Sequence, residues 1–141
     1  MIEGNKITIN AIINAPVETV WSVWTEPEHI KKWNNASEDW HTTAAENDLK
    51  TGGRFLSRME AKDGSVGFDF SGTYDEVNQH ETIAYTLDDN RTVHITFKAK
   101  DNVTEIIQTF EAENEFPKEY QEQGWLSILN NFKQYTEKNL H

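Results

Sequence analysis

Two hydrophobic periods divide the chain. Ile7, Ile9, Ala11 and Ile13 alternate with Thr8, Asn10 and Asn14, which predicts a strand over residues 6–14 broken only by Ile12. Ala15-Pro16 ends it, and the period changes: Val17, Val20, Trp21 and Trp24 follow the i, i+3, i+4, i+7 spacing of one helix face. Pro16 is expected at the first helical position and Glu18 in the first turn, where the helix dipole favours an acid. Thr25-Glu26-Pro27-Glu28 matches a capping box, so Thr25 is expected to close this helix and cap a second one. Ile30 and Trp33 give the second helix its buried edge, and Asn34-Asn35 ends it.

From there the two-residue period dominates. Residues 40–48 form a weak strand with little apolar content, followed by a turn at residues 49–53. Residues 54–61 place Phe55 and Met59 on one face, and Asp63-Gly64 is a hairpin signal. The cleanest alternation runs over residues 67–77: Phe68, Phe70, Gly72 and Tyr74 share one face while Asp69, Ser71, Thr73 and Asp75 share the other, which faces water. Residues 82–87 direct Ile83, Tyr85 and Leu87 inward, and residues 91–100 direct Val93, Ile95, Phe97 and Ala99 inward. Turns at residues 88–90 and 101–102 separate these strands from a last one over residues 103–111, with Ile106 and Phe110 inward and Gln108 between them. Beyond Pro117, residues 118–138 carry Trp125, Ile128, Leu129, Phe132 and Tyr135 on one stripe, a helix spanning roughly 30 Å.

The order is therefore strand, helix, helix, six strands, helix. It reads as one α+β domain over residues 1–141, built on an antiparallel sheet of about seven strands. Such a sheet has one apolar face that needs a cover, and the long helix is the element large enough to supply it. A strongly curved sheet clasped by a helix leaves room in the middle, so an internal cavity is expected between them.

Composition narrows the function. The net charge is −11, which argues against nucleic acid, whose phosphates need clustered cations, and against an anionic membrane surface. No apolar run is long enough to insert in a membrane and no signal peptide is evident, so a cytoplasmic location is the expectation. Absence of cysteine removes disulfide and thiolate chemistry. His29, His41, His80, His94 and His141 have no metal-ligand spacing, so no metal is expected, and no cofactor fingerprint or nucleophile motif occurs. The 24 carboxylates read as a solvated surface; Asp69 and Glu76, by strict alternation, fall on opposite faces.

The positive signal is aromatic. Trp24, Trp33, Phe55, Phe68, Phe70, Phe97, Trp125 and Phe132, with Met59 and Leu129, are the expected apolar lining of the cavity. Ser57, Tyr74, Tyr85 and Gln108 are the inward polar candidates, with Arg58 joining them only if its strand is shifted in register. Gly124, inside the last helix, costs about 1 kcal/mol relative to alanine. Close approach of that helix to the Trp24 region is the first explanation for it, and a hinge the second.

The motifs also carry a resemblance. Ala15-Pro16-Val17, Val20-Trp21, Trp24-Thr25, Pro27, Ile30 and Trp33 belong to it, with Asp48-Leu49, Gly52-Gly53-Arg54-Phe55, residues 72–77 (GTYDEV) and Gly124-Trp125 with Leu129. Together they resemble the START and birch-pollen-allergen-like helix-grip superfamily, in the branch named after the activator of the large heat-shock chaperone ATPase. That resemblance implies the helix-grip fold and a cavity, and it transfers no catalytic residue. It admits three functions. The first is binding of a small hydrophobic molecule, aromatic or lipid-like. The second is a cyclase- or dehydratase-type enzyme in the same cavity. The third is a co-chaperone-like interaction module, for which the chain shows no counterpart of the eukaryotic activator's additional N-terminal domain.

Overall fold

A computed structural model describes residues 2–35 and 37–139. It contains β1 (Ile2–Glu3), β2 (Lys6–Ile13), α1 (Val17–Thr25), α2 (Pro27–Trp33), β3 (Trp40–Asn47), β4 (Arg54–Ala61), β5 (Gly67–Asn78), β6 (Thr82–Leu87), β7 (Thr92–Lys100), β8 (Val103–Glu111) and α3 (Lys118–Asn139). The strands form one antiparallel sheet in the order β1-β2-β8-β7-β6-β5-β4-β3. It has eight strands rather than about seven, because Ile2 and Glu3 pair with Ile7 and Lys6 and add a short edge that no alternation could announce in two residues. The predicted boundaries of the other elements agree to within a residue.

Connection lengths set this order. From β3 to β8 each strand turns back on its predecessor, and Gly64 (φ 77°), Asn90 (φ 74°) and Asp101 (φ 57°) supply the left-handed positions of three of those turns. The segment between β2 and β3 has to travel from one end of the sheet to the other, and α1 and α2 bridge that distance.

Two helix-end expectations are corrected. Pro16 is the N-cap of α1, not its first helical residue. Thr25 does not cap α2: its buried hydroxyl donates to the Trp21 carbonyl (2.8 Å), and Glu26 takes the N-cap position with Pro27 first in the helix. A capping side chain accepts from the first-turn amides at the N-cap position, and Thr25 stands one residue before it, as the last residue of α1.

Inward positions follow the predicted parity across β2, β8, β7 and β6. Ile7, Ile9 and Ile13 face Phe110, Gln108 and Thr104 across the strand pair, and Ile95 and Ile106 are completely buried. Ala99 is exposed, since it lies at the far end of β7 beyond the covered face. In β5 a bulge between Tyr74 and Glu76 shifts the register, so Val77 pairs with Ile83 and Glu76 turns to the outer face with Asp69, against the expectation of opposite faces. Arg58 also points outward, bonded to Glu60 (3.1 Å) and Asp69 (3.3 Å), so the shifted register does not occur.

The 22 residues of α3 run about 33 Å, but they do not cover the sheet evenly. The helix lies along β2 and against α1 and α2, and stands off from β4, β5 and β6. Its C-terminal half is solidly packed: Leu129, Phe132 and Thr136 are buried at 1% exposure or less. Asn131 fastens it to the end of α2, donating to the Trp33 carbonyl and to Asn35 Oδ1 (both 2.9 Å), and the Tyr135 hydroxyl meets His29 Nδ1 at 2.8 Å.

Candidate functional site

Where α3 stands off from the sheet there is a cavity of about 540 Å³. Its floor is the inward face of β4, β5 and β6. Its roof is α3 from its first turn to its middle, including Gln121, Gly124, Trp125, Ile128 and Leu129. Trp24 and Trp33 close one end, and Phe68, Phe116 and Tyr120, each about half exposed or more, stand at the mouth.

Local sequence explains the floor. Phe55 pairs across the strands with Gly72, and a Cβ on Gly72 would lie 2.5 Å from the Thr86 carbonyl oxygen and 3.1 Å from the Phe55 ring. Glycine is thus required there, and it lets the Phe55 ring settle against Tyr85 (4.7 Å between centroids) and Tyr74 (5.2 Å). On the roof Trp125 stacks face to face on Phe110 at 4.0 Å and meets Phe70 edge-on at 5.9 Å.

Twelve of the fourteen expected lining residues sit on this wall: Trp24, Trp33, Phe55, Ser57, Met59, Phe68, Phe70, Tyr74, Tyr85, Gln108, Trp125 and Leu129. Phe97 and Phe132 do not. They are buried behind Trp24, whose ring lies 4.8 Å from Phe132 and 6.0 Å from Phe97, so they fill the core that supports the cavity's end. Gly124 also departs from expectation: a Cβ there would meet nothing within 4 Å, so close packing does not explain it.

Several wall residues escape the sequence pattern. Asn47 and Trp40 reach the cavity because β3 has a bulge between Thr42 and Ala44 that resets its parity, placing Thr42 opposite Met59 and Asn47 opposite Phe55. Arg91, Glu113, Phe116, Tyr120 and Gln121 come from a turn, a loop and the first turn of α3, where no period operates. Gln121 shapes that loop by accepting from the Glu113 amide (2.8 Å) and donating to the Glu113 and Phe116 carbonyls (2.9 and 2.8 Å).

The polar groups on the wall fall into two kinds. Some are satisfied: the Tyr74 hydroxyl donates to Asn47 Oδ1 (2.5 Å), and Asn47 Nδ2 donates to the Thr25 carbonyl (2.6 Å), tying β5 and β3 to the end of α1. Arg91 is held by Asp89 (2.7 Å) and Glu113 (3.5 Å). Others have no protein partner: the Ser57 hydroxyl, the Tyr85 hydroxyl and the Gln108 amide make no hydrogen bond among the described residues. The sealed, unpartnered side-chain atom among those residues is Thr136 Oγ1, so these three groups reach open space, which on this face is the cavity. Burial raises the pKa of Tyr85, the nearby Tyr74 adds to the rise, and Arg91 opposes it. Burial raises Tyr74 as well, offset in part by its bond to Asn47. Both phenols are therefore protonated donors at neutral pH.

An open antiparallel sheet of eight strands with a long C-terminal helix is the architecture of the helix-grip class of α+β domains, the superfamily to which AHSA1-like proteins belong. The sequence profile of one family in it, described as "Activator of Hsp90 ATPase homolog 1-like protein", matches residues 14–137, and the chain belongs to that family. Among solved structures it is similar to an AHSA1-like protein from Aeromonas hydrophila, at 44% identity over 94% of this chain and 92% of that one, with a TM-score of 0.89. It is also similar to a protein from Cytophaga hutchinsonii, at 50% identity over 97% and 95% of the two chains, TM-score 0.83. A protein from Nitrosomonas europaea shares the fold at 21% identity over 97% of both chains, TM-score 0.81. No curated protein matches the chain. No helix among the described residues is long and apolar enough to cross a membrane.

Proposed function

We propose that this protein binds a small hydrophobic molecule, aromatic or lipid-like, in the cavity between the sheet and α3. The observation that carries the reading is the cavity itself. Its volume, about 540 Å³, lies inside the roughly 300–1,000 Å³ range of ligand sites. Its wall is mostly apolar and rich in aromatic rings, with a few polar groups left open, which is the composition of a site that selects by shape and stacking and orients by hydrogen bonds. A protein that filled this volume with its own side chains would be more stable, so the space has a cost that a ligand offsets.

The enzyme reading needs a tuned acid or base inside. The carboxylates on the wall among the described residues are Glu46, exposed at the mouth, and Glu113, ion-paired with Arg91, and neither has the burial that makes a general base. Binding is therefore the reading the geometry favours.

The test is a library of hydrophobic and aromatic compounds screened by melting temperature and tryptophan fluorescence. A binder raises the melting temperature with ligand concentration as mass action requires, and quenches the emission of Trp24, Trp33 or Trp125 at the wall. A library without a single saturable hit would remove the proposal.

A further inference from the structure

The cavity's charge is more specific than its shape. Arg91 is the one Lys or Arg on the wall among the described residues, and it is already occupied by Asp89 at 2.7 Å and Glu113 at 3.5 Å. The other charged wall residues are Glu113, which is paired with Arg91, and Glu46, at the mouth. Behind them the chain carries a net charge of −11. The polar groups that open into the cavity, Ser57, Tyr85 and Gln108, are all uncharged, and each can donate a hydrogen bond.

Resting on the binding reading above, we infer that the guest is uncharged and presents a neutral oxygen acceptor, a ketone, ester or amide carbonyl, to Tyr85 and Gln108, and that the cavity discriminates against carboxylates such as fatty-acid anions. The physical reason is desolvation. An anion entering this wall gives up its water and finds no free cation to replace it. A neutral carbonyl gives up much less and finds donors whose own hydrogen bonds are otherwise unmade. Tyr85 and Gln108 come from β6 and β8, on either side of β7, and both are less than a tenth exposed, so the donors sit at the sheet end of the cavity and the aromatic mouth is left for the apolar part of the guest.

Three ligands of one shape test this: 2-acetylnaphthalene, 2-ethylnaphthalene and 2-naphthoate, titrated at neutral pH while the five tryptophan indole N–H signals are followed by NMR. The expected order is ketone tightest, then the ethyl compound, with naphthoate about tenfold or more weaker than the ketone. Gln108→Leu combined with Tyr85→Phe abolishes the ketone's advantage over the ethyl compound while both still bind. Asp89→Asn with Glu113→Gln, both partly exposed, frees Arg91 and raises naphthoate affinity severalfold. Naphthoate binding as tightly as the ketone to the unmodified protein would overturn the inference and leave the cavity reading standing. So would a ketone advantage that survives loss of both donors. Saturation by none of the three would overturn the inference, while the binding reading stands or falls with the library screen.

Discussion

The two ends of the sheet carry the same inward alternation but have different interiors. Over β2, β8 and β7, Ile7, Ile13, Ile95, Ile106 and Phe110 are buried at 1% exposure or less beneath the helices, with Trp125 of α3 stacked on Phe110. Over β4, β5 and β6, the inward Phe55 and Phe70 are only partly buried and Phe68 is 48% exposed, because α3 stands away from them. The difference lies in the cover. Phe132 plugs the solid end, while Gly124 and Gln121 sit in turns above the hollow one. Stability is concentrated at one end and space at the other.

This contrast can be broken by mutation. The largest effect is expected from Phe132→Ala at the solid end, which costs about 3–5 kcal/mol in urea denaturation. Phe68→Ala, at the mouth, is expected to cost about 1 kcal/mol or less, since the ring is already half in water. Equal losses for the two would erase the distinction between the ends.

Overpacking sharpens it from the other side. Ala11→Leu, inside the solid end, is expected to cost about 1–3 kcal/mol. Gly124→Ala is expected to stabilise by about 1 kcal/mol, because a Cβ there meets nothing and helix propensity improves. Gly124→Leu keeps stability at or above that of the parent while shrinking the cavity and weakening whatever ligand the thermal screen finds. A destabilised Gly124→Ala protein would mean the position is needed for some contact the helix makes.

Smaller effects concern the joints. Tyr74→Phe breaks the Tyr74–Asn47–Thr25 chain that holds the edge strand β3 to α1, and is expected to cost about 1 kcal/mol by chemical denaturation. Asp88 is hydrogen-bonded by Arg54 and Ser71, which lowers its pKa from 3.8 to about 2. A carboxylate depressed in the folded state adds stability above its unfolded pKa, and that contribution fades as pH falls from about 4 towards 2. The pair is exposed, so the effect is small: Asp88→Asn lowers the melting temperature slightly at neutral pH, and the difference from the parent vanishes near pH 2. A difference that stays constant down to that pH would assign it to something other than the charge.

Much of this was legible in the chain because the residues report on themselves. Alternation in β6 and β7 places Tyr85, Val93 and Ile95 inward without any knowledge of the partner strand, and the stripe on α3 places Trp125, Leu129 and Phe132 on one face, whereas the direction of Gln108 was settled only by the fold, which buries it. What pattern could not separate is wall from core. Phe97 and Phe132 carry the same signature as Phe55 and Phe70, and the difference depends on the distance of a helix some tens of residues away. Bulges in β3 and β5 defeated alternation outright, hiding Asn47 and turning Glu76 outward.

The order of strands and helices from β2 onward, the buried face of the strands without bulges and the aromatic character of the interior were therefore set by the sequence alone, since they arise from local period and from the need to hide apolar area. The position of α3 over one end of the sheet, the open volume at the other, and the pairing that neutralises Arg91 while leaving Tyr85 and Gln108 unbonded were decided only by the tertiary structure. A cavity is a property of the gap between surfaces, and no residue records the distance to a neighbour it does not touch.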